Sequence, residues 1–235
     1  MTPKFSWSLA IMCYNEAATL EDMVRRCDNI ISSLASEYEI IIINDNSGDG
    51  STEIADRLAK EFAQVRVVHH ETNKGIGEVL RTAVREALND WLVIMPGDLE
   101  FAPEDLKSGA HVLEKDVMVS YTLTKLPPLR RRVVSFSQYV LNFLLFGLTL
   151  KRVNWVKIVP TKLLQEDTLL TTSPIMDTEI AVRLKRKGCK FIEIASKNDL
   201  KLERIGGLNT GTYRRELLNS FRDTLKLWWA LRREK

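Results

Sequence analysis

Histidine and cysteine are scarce in this sequence, three of each. Cys13, Cys27 and Cys189 stand at spacings that match neither a zinc site nor a redox pair, and an odd number leaves no fully paired disulfide framework. Reduced thiols in a cytosolic protein are the expected state. No run of about 20 uninterrupted apolar residues occurs, so no segment is expected to span a bilayer. The start, MTPKFSWSLAIMCYNE, lacks the basic stretch, long apolar middle and small-residue cleavage site of a secretory signal, which predicts a protein that stays on the cytoplasmic side. With 11 Gly, 7 Pro, no low-complexity tract and no internal period, collagen-like, disordered and solenoid classes are excluded.

What is present is ordinary globular composition, 45% apolar and 28% charged, at a length that suits one large α/β domain. The charge is unevenly spread. Residues 1–120 hold 11 Lys/Arg against 21 Asp/Glu, a net −10, whereas residues 121–235 hold 23 against 10, a net +13. The basic half predicts an anionic partner surface. Nucleic acid is disfavoured because no aromatic stacking platform accompanies the basic residues, which leaves an anionic membrane leaflet.

Four times over residues 8–113 an apolar run passes into a polar loop and then into a stretch of helical spacing. The runs are SLAIMCY, EIIII, VRVVH and WLVIM, and the loops after them carry Asn15/Glu16, NDNSGDG, HETNKGIG and PGDLEFAP. In the first helix Leu20, Met23, Val24, Cys27, Ile30 and Ile31 keep one face, and Thr19 with Asp22 gives a capping-box signal. Strands alternating with helices imply a mostly parallel sheet covered on both faces, with ligands bound beyond the carboxyl ends of the strands. All four polar loops are therefore expected at one edge. The loop after EIIII holds more Asn and Asp than a plain turn needs, which points to a ligand.

Beyond residue 121 the order is less regular. LPPLRRR leads into Val133–Leu150, apolar at 12 of 18 positions, with Ser135, Gln138, Asn142 and Thr149 on a narrow polar stripe. That width fits either a helix buried under the sheet or one lying in a membrane interface, and the adjacent arginines favour the second. Residues 212–235 form a further amphipathic helix, with Trp228 and Trp229 among arginines suited to interfacial anchoring.

In order, YNE, INDNSGDGST, NKGIG and PGDLEFAPEDL resemble the family 2 nucleotide-sugar glycosyltransferases of GT-A fold. The helix DTEIAVRLKRKG, the later RIGG and the basic second half look most like the polyprenyl-phosphate hexosyltransferases, the group of dolichol-phosphate mannose synthase. The resemblance implies a single GT-A domain over residues 1–211, with a nucleotide-sugar half to residue 120 and an acceptor half beyond it. It implies an inverting transfer of a hexose from a GDP- or UDP-sugar to a polyprenyl phosphate at the inner face of the membrane. As alternatives, Asp177 acts as base toward a sugar hydroxyl, or the chain binds a nucleotide sugar without turning it over. A homodimer is compatible with either.

Carried over residue by residue, the resemblance makes Asp45 the acceptor for the donor base, with Tyr14 and Glu16 shaping the nucleoside pocket. Lys74 and Asp98 also face the nucleotide sugar, and Gly75 and Gly77 let the backbone approach it. Where the family carries Asp-x-Asp, this chain has Pro96-Gly97-Asp98, so a divalent metal, Mg²⁺ or Mn²⁺, falls to Asp98 and Glu100. Asp177 and Glu179 line up with catalytic carboxylates of the hydroxyl-acceptor and lipid-phosphate groups. Arg204, Arg130, Arg131 and Arg132 are candidates for gripping phosphate, and Lys157 is either a further phosphate cation or a surface lysine.

Overall fold

The structure, a computed structural model, describes residues 5–123, 129–151, 153, 156–173, 175–196 and 210–234, with backbone alone at 123, 129–131, 134 and 210–218. Its first half follows the expected alternation: β1 (Ser6–Cys13), α1 (Leu20–Ile31), β2 (Glu37–Asn44), α2 (Ser51–Glu61), β3 (Val65–His69), α3 (Ile76–Glu86) and β4 (Trp91–Pro96). A 3₁₀ turn at Pro103–Asp105 leads into the short α4 (Leu106–Ala110). Then come β5 (Val117–Leu123), α5 (Leu129–Phe146), β6 (Lys157–Pro160), α6 (Thr161–Gln165), α7 (Met176–Arg186), β7 (Lys190–Ser196) and α8 (Thr210–Arg233).

The seven strands form one sheet in the order β3-β2-β1-β4-β6-β5-β7. Every pairing is parallel except those of β6, which runs antiparallel to both β4 and β5. Both faces are covered, so strands read as continuous apolar runs rather than alternating ones. The four isoleucines of β2 show why. Ile40 and Ile42 face the core under α1 and α2, Ile41 and Ile43 face the core under α3, α7 and α8, and all four are fully buried. Each contributes about 1.5–3 kcal/mol of burial.

The apolar face of α1 packs as its spacing predicts. The capping box does not form. Thr19 turns back instead, its Oγ1 donating to the Glu16 carboxylate at 3.0 Å and to the Glu16 carbonyl at 3.3 Å, so no side chain caps the helix.

The helix expected at 133–150 covers Leu129–Phe146 instead. Gly147 stops it: its φ of +63° is the left-handed conformation of a C-terminal cap, and its N–H donates to the Phe143 carbonyl at 2.8 Å. Lys185 of α7 seals the end by donating to the carbonyls of Phe146 and Gly147. Leu148 and Leu150, read as helix from their apolarity, are buried core residues beyond it.

The polar stripe also faces the opposite way from a membrane-lying helix with its polar side in water. Gln138 Nε2 donates to Thr224 Oγ1 at 3.1 Å, Ser220 of α8 donates to Gln138 Oε1 at 3.1 Å, and buried Asn142 donates to Thr178 of α7 at 3.4 Å. Gln138 and Asn142 thus form the seam that holds α5 onto α7 and α8, while Thr149 lies beyond the helix and is exposed. Val133, Phe136, Phe143 and Leu144 of α5 are left exposed, as are Phe221, Leu225 and Trp229 of α8. Among the described residues no helix is long and apolar enough to cross a membrane.

Candidate functional site

Parallel pairing of β1 with β2 sets Cys13 beside Asn44, so the chain leaves both strands at one edge. The two loops then interlock. Asn15 N–H donates to Ser47 Oγ at 3.0 Å, and Gly48 N–H donates to Asn15 Oδ1 at 2.9 Å. Glu16 N–H reaches Ser51 Oγ at 2.8 Å, and Ala17 N–H reaches Asp49 Oδ2 at 3.0 Å. The surplus of Asn, Asp and Ser after β2 is thus largely committed to organising the loops, giving their backbone N–H groups side-chain partners. Asn44 continues the pattern, donating to Thr52 at 2.9 Å and accepting from Ser47 N–H at 3.1 Å.

Asp45 does the same for the third loop. Its Oδ1 accepts from Lys74 N–H at 2.9 Å and its Oδ2 from Gly75 N–H at 2.8 Å, while His70 Nδ1 lies 2.7 Å from Oδ1. Because a carboxylate only accepts, His70 presents Nδ1–H to it and meets Thr82 Oγ1 through Nε2 at 3.0 Å. Burial alone would raise the Asp45 carboxyl, but the hydrogen bonds from Lys74, His70 and Gly75 outweigh it and hold it below the ordinary carboxylate range. Gly75 has φ +79°, which a side chain would strain. His70 was not anticipated from the sequence; the pair His69-His70 ending an otherwise apolar strand was the available signal.

The fourth loop follows β4. Asp98 Oδ1 accepts from Glu100 N–H at 2.9 Å, and Leu99 between them has φ +61°. Asn15, Asn46 and Leu99 are the non-glycine residues of positive φ among the described residues, and each lies at the end of β1, β2 or β4. Asparagine tolerates that conformation; leucine is strained by roughly 1–2 kcal/mol. The strained positions therefore gather at the edge where the polar loops converge.

Tyr14, half exposed, stands at the tip of the first loop, and the Lys74 side chain is exposed beside the third. Asp98 and Glu100 are half-buried. No group of three or more His, Cys, Asp or Glu that could hold a metal occurs among the described residues. Two carboxylates on one turn do fit the usual binding of Mg²⁺ or Mn²⁺ by one or two carboxylates together with substrate phosphates.

The acceptor half brings together residues expected to have separate tasks. Lys157 is fully buried on β6 and its ammonium pairs with Asp177 at the start of α7. This corrects both sequence readings of Lys157, which has no surface to offer a phosphate. Burial pushes the Asp177 carboxyl up, and Lys157 opposes the shift. Glu179 is also fully buried: it accepts from Leu170 N–H at 2.7 Å, Thr171 N–H at 2.8 Å and Thr171 Oγ1 at 2.7 Å, with Arg183 Nε at 2.9 Å. Neither carboxylate is open to solvent. Gly77 is held small by the protein itself, because a Cβ there would lie 2.1 Å from the Thr172 carbonyl. Arg130 and Arg131 fall in the first turn of α5 with only their backbone described, Arg132 is exposed there, and Arg204 lies outside the described residues.

Comparison with known proteins matches residues 8–157 to the family model "Glycosyl transferase family 2". A dolichol-phosphate mannosyltransferase of Pyrococcus furiosus is 34% identical over 97 residues, 41% of this chain and 27% of that protein. An undecaprenyl-phosphate 4-deoxy-4-formamido-L-arabinose transferase of Aeromonas hydrophila is 33% identical over 100 residues, 42% of this chain and 31% of that protein. The matched stretch thus spans about a third or less of the length of these curated relatives. Among solved structures, a mannosyltransferase of Pyrobaculum calidifontis in complex with GDP-Man and Mn²⁺ superposes with a TM-score of 0.64 over 97% of this chain and 74% of that one, at 15% identity. At that identity the likeness is one of fold, the GT-A arrangement of a mostly parallel sheet with helices around it.

Proposed function

The chain belongs to glycosyl transferase family 2, and on that premise we propose that it moves a hexose from a nucleoside diphosphate sugar to a polyprenyl phosphate at a membrane surface. The observation that carries the reading is the convergence of the four loops at one sheet edge, the first three locked to one another by Asn15, Asp45, Ser47 and Asp49. Such a rigid, polar rim at the carboxyl ends of parallel strands suits a nucleotide sugar. Tyr14, Glu16 and Lys74 flank the nucleotide, and Asp45 shapes its seat, holding the loop at Gly75 against the base.

Transfer proceeds by one displacement. A phosphate oxygen of the acceptor attacks the anomeric carbon, the bond from that carbon to the diphosphate oxygen breaks, and the configuration inverts. With a second pKa of about 6, a phosphate monoester is largely ionised at neutral pH and needs no general base. The burial of Asp177 against Lys157 argues for this acceptor over a sugar hydroxyl, whose proton must be removed. Asp98 and Glu100 would hold the divalent cation, which when bound offsets charge on the departing diphosphate.

The acceptor is reached from the membrane. The outward apolar side chains of α5 and α8, with Arg132, Arg222, Lys226, Arg232 and Arg233 exposed on the same two helices, suit an anionic lipid surface. A dolichol-phosphate and an undecaprenyl-phosphate transferase among the relatives support that acceptor class. The test is transfer of labelled hexose from GDP- and UDP-sugars to a polyprenyl phosphate in liposomes; failure with every donor would overturn the proposal.

A further inference from the structure

Residues 169–173 form a strap between the donor half and the acceptor half, and both sides grip it. Arg81 of α3 donates from Nη2 to the carbonyls of Leu169 at 3.1 Å and Thr171 at 2.7 Å. Glu179 of α7 takes the N–H groups of Leu170 and Thr171 from the other side. The strap touches the first turn of α3 at Gly77, two residues beyond the Gly75 amide that Asp45 holds. It is therefore built into the same edge as the candidate donor site.

Behind the strap lies a cavity of about 310 Å³ whose far wall is α8. One part of its lining is polar, from Thr171, Thr172 and Ser173 of the strap and Lys226 of α8, with the Thr171 hydroxyl already donating to Glu179 at 2.7 Å. The other is apolar, from Leu170, Leu227 and Ala230. Asp223 also borders it, paired with Lys226 at 3.8 Å and Arg222 at 3.7 Å, so two cations stand against one carboxylate. Lys226 follows Leu225 directly on α8, and Leu225 with Phe221 and Trp229 is exposed. The cavity thus adjoins the donor edge on one side and the outward apolar ridge on the other.

Resting on the lipid-phosphate reading above, we propose that this cavity seats the head of the acceptor, an amphiphilic phosphate monoester. Lys226 and the hydroxyls of Thr172 and Ser173 bind the phosphate, and Leu170, Leu227 and Ala230 take the first apolar units of its chain. Clustered hydroxyl donors with one ammonium are a phosphate-binding chemistry. The size lies at the lower end of ligand pockets, roughly 300–1,000 Å³, enough for a headgroup and not for a long chain. The remainder of the chain stays in the lipid beside the α8 ridge.

The test is calorimetry of the full chain with a short, water-soluble prenyl phosphate, with inorganic phosphate and nucleoside diphosphate as separate arms. Lys226→Ala and Ala230→Trp are each expected to weaken prenyl phosphate binding about tenfold or more, the loss of a charged hydrogen-bond partner or of the cavity itself. Lys226→Arg should restore affinity, nucleoside diphosphate binding should be unchanged in all three, and prenyl phosphate should bind more tightly than inorganic phosphate. Flotation with anionic liposomes separates loss of the seat from loss of a membrane contact. No binding by the parent chain, or parent-like binding by both Lys226→Ala and Ala230→Trp, would overturn the proposal, and equal affinity for inorganic phosphate would overturn its amphiphilic part. Binding without any hexose transfer would instead count against the transferase reading and leave the seat standing.

Discussion

Asp45 and Gly75 are 30 residues apart in the chain, yet the carboxylate of one accepts the amide proton of the other at 2.8 Å. Removing that carboxylate leaves the Lys74 and Gly75 amides and His70 without their acceptor. Asp45→Ala is therefore expected to cost about 1–3 kcal/mol in urea unfolding and to weaken nucleoside diphosphate binding. The hydrogen bonds hold the Asp45 carboxyl below its ordinary range. Its contribution is thus present above the unfolded value of about 3.9 and is lost as pH falls through the folded value below that. Nucleotide binding should be insensitive to this group from pH 5 to 8, and a titration showing Asp45 protonating in that window would contradict the assignment.

The Lys157–Asp177 pair makes a stability prediction. Asp177→Ala leaves a buried ammonium unpaired and should cost about 3–5 kcal/mol, whereas Lys157→Met combined with Asp177→Leu should recover most of the loss. Chemical denaturation of the two single variants and the double variant checks it. Parent-like stability of Asp177→Ala would mean the two groups are not a buried pair in solution.

Gly77→Ala sets a methyl group against the backbone of Thr172, where an ideal Cβ would lie 2.1 Å from the carbonyl. The strap must move, so the protein should lose stability, by the 1–3 kcal/mol typical of overpacking, and acceptor turnover should fall more than donor binding. A thermal melt with donor calorimetry reads both, and a neutral substitution would place the strap elsewhere.

Membrane association should fail when the exposed ridge becomes charged. Phe136→Asp and Trp229→Asp alter side chains that are 66% and 53% exposed and thus leave the core intact. Co-sedimentation with anionic liposomes should drop for both variants, and for the parent as salt rises. Undiminished binding would assign this face to another partner.

How much of this was legible in the sequence depends on the distance over which each residue acts. The four strand-loop-helix units of residues 8–110 could be read because each apolar run and each helical face is local. Asn15, Ser47 and Asp49 were visible as an excess of polar residues, but their partners sit 32 or 33 residues away, so a scaffold of loops looked like a set of ligand contacts. The end of α5 was misplaced because Leu148 and Leu150 prolong the apolar run after Gly147 has turned the backbone. Lys157 carried no local sign of its pairing, since Asp177 lies 20 residues on, at the start of α7.

Transfer of a hexose to a lipid phosphate has a direct chemical readout. It is tested most directly by incubating the protein with GDP- or UDP-hexose, Mn²⁺ and a polyprenyl phosphate in anionic liposomes, and analysing the lipid extract by mass spectrometry. A glycosyl phosphopolyprenol of inverted anomeric configuration is expected, formed faster with Mn²⁺ than with excess chelator and slowed by Asp98→Asn. Transfer to a sugar hydroxyl in place of the lipid phosphate, or tight nucleotide-sugar binding with no transfer to any acceptor, would contradict it.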